Sequence, residues 1–231
     1  TGAVAVGGPG AVFWMWVSAI FGMASSFIES TLAQIFKERD GDEYVGGLPY
    51  YGQKLLGNKK WIGISLAVMF IGYAMTSIPI QTFHVFTATG RAVETITGTV
   101  AGRNSLLYYV IAVILIVGIA AAVFGGIKRV TAITDKMVPV MAVIYGAIVT
   151  VLIITNIQYF PSFVQTVVTG AFNPQAVFGG GFGVVLSQGI RRGLLSNEAG
   201  QGTITMSAAV AEQEHPCSQG FIQAIGVFLD T

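Results

Sequence analysis

Two glutamines, Gln81 and Gln188, and one carboxylate, Glu29, stand inside apolar stretches of this chain. A side-chain amide both donates and accepts, so it can serve either the carboxylate or the ammonium of a zwitterion held within a membrane. No Lys or Arg lies inside an apolar span. The carboxylate of such a solute would therefore fall to amides and to free backbone N–H groups at a half-helix end. Residues 174–202, PQAVFGGGFGVVLSQGIRRGLLSNEAGQG, offer such an end, because Gly179, Gly180, Gly181 and Gly183 interrupt an apolar run shortly before Ser187 and Gln188. Each glycine costs about 1 kcal/mol of helix propensity relative to alanine, so the run marks backbone that leaves regular geometry or is closely approached. Within a bilayer such backbone is tolerated only where it is buried in protein or lines a cavity, and a glycine-interrupted span points to a transporter's binding site.

Around Gln81, the residues Tyr73, Ser77, His84 and Thr87 recur at i+3 or i+4 steps and form a polar stripe. Pro79, beside it, removes a backbone donor and predicts a kink. The stripe suits interhelical hydrogen bonding or a cavity wall, and five polar residues beside a proline favour the wall. Glu29 is the one acidic group deep in a complete span, and it shares a face with Gly22, Ser25, Ser26 and Ala33. It can carry coupling chemistry or brace the bundle; its place two turns from Lys37 favours bracing.

Other chemistries find little support. No HExxH or GxSxG motif occurs, and His84 and His215 stand too far apart in the pattern to make one metal site. Glu198 beside Ser196 has no base in reach, so a membrane hydrolase is disfavoured and no catalytic residue is assigned. A passive channel or pore for small polar solutes is the alternative, since glycine-rich segments and polar stripes also line pores; no ring of charge appears in the spans.

The elements that must position these residues are membrane helices. The chain is 53% hydrophobic and 10% charged, against roughly 25% charged in an average soluble domain. Stretches 61–90, 104–127 and 137–190 hold no Asp, Glu, Lys or Arg. The last far exceeds the ~20 residues one crossing needs. Expected spans are 11–36, 61–90, 104–127, 137–157, 174–195 and 219–231, all within one transmembrane domain. Residues 158–173 read as a short interfacial or re-entrant helix, and a short helix is expected over 207–212. Gly118 with Ala122, and Ala142 with Gly146 and Thr150, are expected close-packing strips. Gly7-Gly8-Pro9-Gly10 is a turn able to separate two helices. With six crossings, Lys37, Arg39, Lys54, Lys59, Lys60, Lys128, Arg129, Lys136, Arg191 and Arg192 fall on one side, and Arg91 and Arg103 on the other. This bias makes loops 37–60, 128–136 and 191–218 cytoplasmic. Starting at Thr1 and stopping within an apolar run, the chain is expected to be an internal fragment of a longer protein. The single cysteine, Cys217, excludes an internal disulfide framework, and the net charge of +1 gives no nucleic-acid footprint.

Five blocks resemble the alanine or glycine:cation symporters, also called sodium:alanine symporters: GGPGAVFWMWVSAIFGMASSFIE (7–29), YVGGLPYY (44–51), GGIKRV (125–130), QGIRRGLLSNEAGQG (188–202) and HPCSQGFIQAIGVFLDT (215–231). The resemblance implies an all-α integral membrane protein of the leucine-transporter-like, inverted-repeat architecture, with the fragment running from the tail of helix 1 into helix 7. It implies sodium-coupled, or other cation-coupled, import of a small neutral amino acid across the bacterial cytoplasmic membrane, with alanine or glycine first. No cofactor is expected beyond the coupling ion. On this resemblance Gln81 and Gln188 fall where the family's substrate-contacting glutamines lie. Ser187 and Val184 share the wall of Gln188, and Gly180 and Gly181 supply the backbone. Two departures stand out: Ser77-Ile78-Pro79-Ile80 replaces a glycine-asparagine pattern, and SNEAGQGTIT replaces SNEAGxGSAP. The GTGN motif and helix 8, expected to hold most sodium ligands, lie outside this chain, so no sodium ligand is assigned.

Overall fold

The computed structural model describes residues 2–41, 43–98, 106–172 and 181–231. Its elements are α1 (Gly2–Gly7), α2 (Gly10–Ile35), β1 (Glu38–Asp40), β2 (Glu43–Val45), α3 (Leu48–Leu55), α4 (Lys60–Thr97), α5 (Leu106–Val123), α6 (Gly126–Thr155), a 3-10 turn (Ile157–Tyr159), α7 (Phe160–Ala171), α8 (Gly181–Asn197), α9 (Ile204–Val210) and α10 (Pro216–Asp230). Three described helices are long and apolar enough to cross a membrane: Gly10–Ile35, Lys60–Thr97 and Arg129–Thr155. The two strands form a small antiparallel hairpin with Arg39 opposite Tyr44, in the polar connection between α2 and α4.

Several boundaries depart from the sequence pattern for local reasons. Residues 91–97, expected as loop, continue α4, since nothing there stops a helix until Gly98 adopts φ +68° and donates to Glu94 O at 2.9 Å. The basic segment 128–136, also expected as loop, is the start of α6. The Gly125-Gly126 turn breaks the chain, and the residues after it do not. The short helix expected over 207–212 is Ile204–Val210, and the one expected over 158–173 is Phe160–Ala171. Of the glycine break, Gly179 and Gly180 lie outside the described residues, and Gly181 and Gly183 begin α8.

The chain divides into two compact units, residues 1–71 with 158–231, and residues 72–157. In the first, α2 is the hub, meeting α1, α3, α7, α8, α9 and α10. Its buried face includes Ala11, Ser18, Ala19, Gly22, Ser26, Ser30 and Ala33, spaced by three or four residues from Ala19 onward. Small residues let helix backbones approach closely, which is how packing and hydrogen bonding replace the hydrophobic effect between membrane helices. Gly189 and Gly193 of α8 are the counterpart. A Cβ on Gly189 would come within 2.5 Å of Trp14 Cβ and 2.6 Å of the Ala11 carbonyl oxygen, and one on Gly193 would strike the Ser18 hydroxyl. Across α2, Gly220 of α10 lies against Phe27 and Thr31, with the Phe27 and Phe221 rings 4.9 Å apart.

The second unit holds the later part of α4 with α5 and α6. The Phe86 and Tyr108 rings stand 4.7 Å apart, and Tyr108 covers Gly90. Its other helix faces expose apolar side chains such as Ile114, Val117, Val143 and Ile154. The expected packing strips at Gly118 and Gly146 meet nothing within 4 Å. Engaged close-packing glycines include Gly189 and Gly193 of α8 and Gly220 of α10.

Candidate functional site

The first unit assembles one candidate site at the start of α2. There α1 ends at Gly7, Gly8 turns with φ +70°, and Pro9 precedes the first residue of α2, so the chain reverses as the four-residue turn motif predicts. Gly7 lies directly against Gln188: a Cβ there would be 3.0 Å from the Gln188 Cβ and 3.0 Å from the Ala11 Cβ. Farther along, Gly2 meets the guanidinium of Arg192, so α1 runs antiparallel to α8. Gly10 touches the backbone of Gly170 on α7, and Phe13, Trp14 and Phe172 stack around this junction with ring centroids 4.9 to 5.7 Å apart.

Gln188 is half-buried, and its amide bonds to no described group. Gly181, Val184 and Ser187 share its helix, with Gly181, Val184 and Gln188 stepping along one strip at three- and four-residue intervals. Val184 is exposed and Ser187 half-buried. Gly180 lies outside the described residues.

Gln81 belongs to the second unit and is exposed, as are Tyr73 and His84 of its stripe. A cavity of about 450 Å³ does lie beside Pro79, but Ile78, Pro79, Thr82, Phe83, Phe86, and residues of α5 line it. That wall is apolar and presents the helix face next to the stripe. The polar residues expected to line a cavity therefore do not line this one.

Glu29 stands at the other end of α2. At 1.5 Å per residue it is about 27 Å along the helix from Ala11, out of direct contact with any ligand beside Gln188. The backbone N–H groups of Gly200 and Gly202 lie near its carboxylate, whose Oε2 is buried without a hydrogen-bond partner among the described residues. Both glycines have left-handed φ, +82° and +78°. The surrounding loop is ordered by its own polar groups: Asn197 Oδ1 accepts from Ala199 N at 3.1 Å, and Thr203 Oγ1 donates to Glu198 Oε2 at 2.6 Å. Tyr51 on α3, 7% exposed, is held up at about 12 by burial and by the Glu29 charge.

Sequence reasoning missed the polar ties that complete this end. Gln34 Nε2 donates to the carbonyls of Ala208 and Ala211, the latter at 2.7 Å. Lys37 Nζ donates to Gln34 Oε1 at 2.8 Å and to Ala211 O at 3.0 Å, and lies over the Tyr44 ring. Burial lowers the Lys37 pKa, and Glu212 partly offsets this. Ser196 and Asn197 bond Asp230 and Thr231, so the ends of α8 and α10 are joined. The one available signal was Gln34 itself, a polar residue extending the small-residue face. His215 caps α10 through Cys217 N, and no group of three metal-ligating residues occurs among the described residues.

A buried face of small residues and three helices long and apolar enough to cross a membrane fit an all-α integral membrane protein. The chain belongs to the sodium:alanine symporter family, whose sequence profile matches residues 1–231. It is 46% identical over 230 residues to the amino-acid carrier protein AlsT of Bacillus subtilis, covering 99% of this chain and 47% of that protein. It is 42% identical over 232 residues to the probable sodium/glutamine symporter GlnT of the same organism, covering 99% and 46%. Against the sodium/alanine symporter AgcS of Methanococcus maripaludis it is 36% identical over 235 residues, covering 99% and 49%. The chain thus spans about half the length of the curated relatives it matches.

Proposed function

We propose that this chain forms part of a sodium-coupled, or other cation-coupled, symporter that imports a small neutral amino acid, alanine or glycine first, across the bacterial cytoplasmic membrane. The fold is the leucine-transporter-like inverted repeat, and segments 37–60, 128–136 and 191–218 face the cytoplasm. Family membership supports the coupled transport of an amino acid, and the names of two relatives, one a sodium/alanine and one a sodium/glutamine symporter, bracket the substrate. The observation that carries the reading is the unengaged amide of Gln188, set against the α1–α2 reversal between tightly approaching backbones. A free, half-buried amide donor and acceptor is what a zwitterion without a charged partner requires.

In this reading Gln188 and Gln81 take polar groups of the substrate, Ser187 and Val184 complete the Gln188 wall, and Gly180 and Gly181 present backbone N–H groups. Glu29 braces the bundle rather than carrying the coupling step, since it stands at the far end of α2, about 27 Å along the helix from Ala11. Uptake of labelled alanine by the full-length protein in liposomes tests the function, with unlabelled glycine and glutamine as competitors. Uptake that ignores both sodium and proton gradients would refute symport, and flux that fails to saturate would mark a pore. Gln188→Ala and Gln81→Ala are each expected to weaken apparent affinity about three- to ten-fold, the worth of one hydrogen bond. Unchanged affinity in both variants would remove these residues from the site.

A further inference from the structure

A serine or threonine inside a helix commonly turns its hydroxyl back onto a carbonyl of the preceding turn. Ser18 of α2 does so, donating to Met15 O at 2.8 Å, as do Thr82 and Thr89 of α4. Ser26 and Ser30 do not. Both are 0% exposed, and both hydroxyls lack a hydrogen-bond partner among the described residues. Between them in the chain stands Glu29, whose Oε2 is likewise buried and unpartnered and which forms no ion pair among the described residues. Glu29 and Ser30 follow Ser26 by three and four residues, the steps that make neighbours on a helix surface, with Cβ atoms ~5–6 Å apart. Packing closes this patch at either end. One turn before Ser26, a Cβ on Gly22 would meet Ala199 Cβ at 3.2 Å and Val227 Cγ1 at 3.4 Å. Just past Ser30, Ala33 packs on Ala208 and Ala209. On α10, Gly220 lies against Thr31, and its neighbour Gln219, 5% exposed, carries an amide that bonds to no described group. Unclaimed hydroxyl and carboxylate oxygens in a closed patch are the donor set of a hard cation. A buried carboxylate calls for one opposite charge, whereas a divalent ion would call for further carboxylates.

We propose that Ser26, Glu29 and Ser30 bind a resident sodium ion on the buried face of α2, and that Glu29 braces the bundle through this ion. The ion belongs to the end of α2 remote from Gln188, and its part is structural. It does not rest on the transport reading above.

Thermal midpoints of the full-length protein in detergent, measured without amino acid, read the ion. At constant ionic strength, replacing N-methylglucamine chloride with sodium chloride should raise the midpoint saturably, because a ligand bound only by the folded chain stabilises it by mass action. Sodium bound elsewhere in the full-length protein would stabilise every variant alike, so the difference between variants carries the test. Ser26→Ala with Ser30→Ala should raise the sodium concentration needed for half the effect at least roughly ten-fold, as loss of groups that serve a bound metal does. Glu29→Gln, which keeps the size and removes the charge, should weaken the sodium response at least as much. The double serine variant also changes sign with the salt. In sodium-free medium it should be no less stable than the natural protein, since two unpartnered buried hydroxyls are removed, and in sodium it should be less stable. A loss equal in both salts would mean that buried water satisfies the hydroxyls, and would overturn the ion. A natural protein indifferent to sodium, or one whose response all the variants share, would overturn it too. A sodium response that depends on these residues in a protein that takes up no alanine would uphold the ion and refute the transport reading alone.

Discussion

Around Ala11, α2 is held by the approach of glycine backbones, whereas around Gln34 it is held by hydrogen bonds. At the first end Gly10, Gly189 and Gly193 bring α7 and α8 so near that a methyl group would collide, and the polar group delivered there, the Gln188 amide, stays unengaged. At the second, Gln34, Lys37, Asn197 and Thr205 each make bonds to another part of the unit. Shape can fix a helix without consuming donors and acceptors, so polar groups there remain available to a ligand. Hydrogen bonds fix a helix by using those groups up. The contrast assigns ligand contact to the first end and mechanical attachment to the second.

The most severe way to break the first end is to fill it. Gly189→Leu forces a side chain against Trp14 and the Ala11 carbonyl, and should destabilise the full-length protein by about 3 kcal/mol, the upper part of the overpacking range, read as a lower thermal midpoint in detergent. Gln34→Ala should cost about 2 kcal/mol by the same measurement, because the carbonyls of Ala208 and Ala211 and the Lys37 ammonium all lose a partner. A negligible loss would mean that water replaces Gln34 and that the second end is not held as described.

Tyr51 gives a pH test of the second end. Its folded pKa of about 12 lies above the ordinary 10.0. Below pH 10 both folded and unfolded chains keep the phenol protonated. Between pH 10 and about 12 only the folded chain does, so stability falls as pH rises through that window. Tyr51→Phe should make the alkaline fall in thermal midpoint shallower there and leave it unaltered near neutrality. Smallest of all should be the effect of Gln188→Ala on stability, within about 0.5 kcal/mol, since no described group loses a bond. A large loss of stability would recast Gln188 as a structural residue and erase the contrast between the two ends.

What the sequence makes legible follows the range of the forces involved. Apolar runs, the Gly7–Gly10 turn and the small face of α2 are local patterns, and helices α2, α4 and α5 lie where they point. Helix ends were less legible: loops were expected at 91–103 and 128–136, yet neither Arg91 nor Lys136 breaks a helix, α4 continues to Thr97, and α6 runs through 128–136. Small residues proved ambiguous as well. Gly118 and Gly189 look alike in sequence, but only Gly189 has a neighbour in this structure, because packing depends on which face another helix meets. The stripe around Gln81 was visible, and its distance from the apolar cavity at Pro79 was not. The bonds of Gln34 to Ala208 and Ala211 join residues far apart in the chain, and no spacing rule reaches that far.

One such bond bears on synthesis. Leu48 N, at the start of α3, donates to the buried hydroxyl of Thr205 at 3.0 Å, a partner 157 residues later. At ribosomal rates of ~5–20 residues/s that interval lasts roughly 8 to 30 s. Throughout it the hairpin and α3 stand without the tie that seats them, while several apolar helices emerge and enter the bilayer. The polar connection made early is therefore finished late, and a ribosome pause between α3 and α9 lengthens the time during which proteases can reach it.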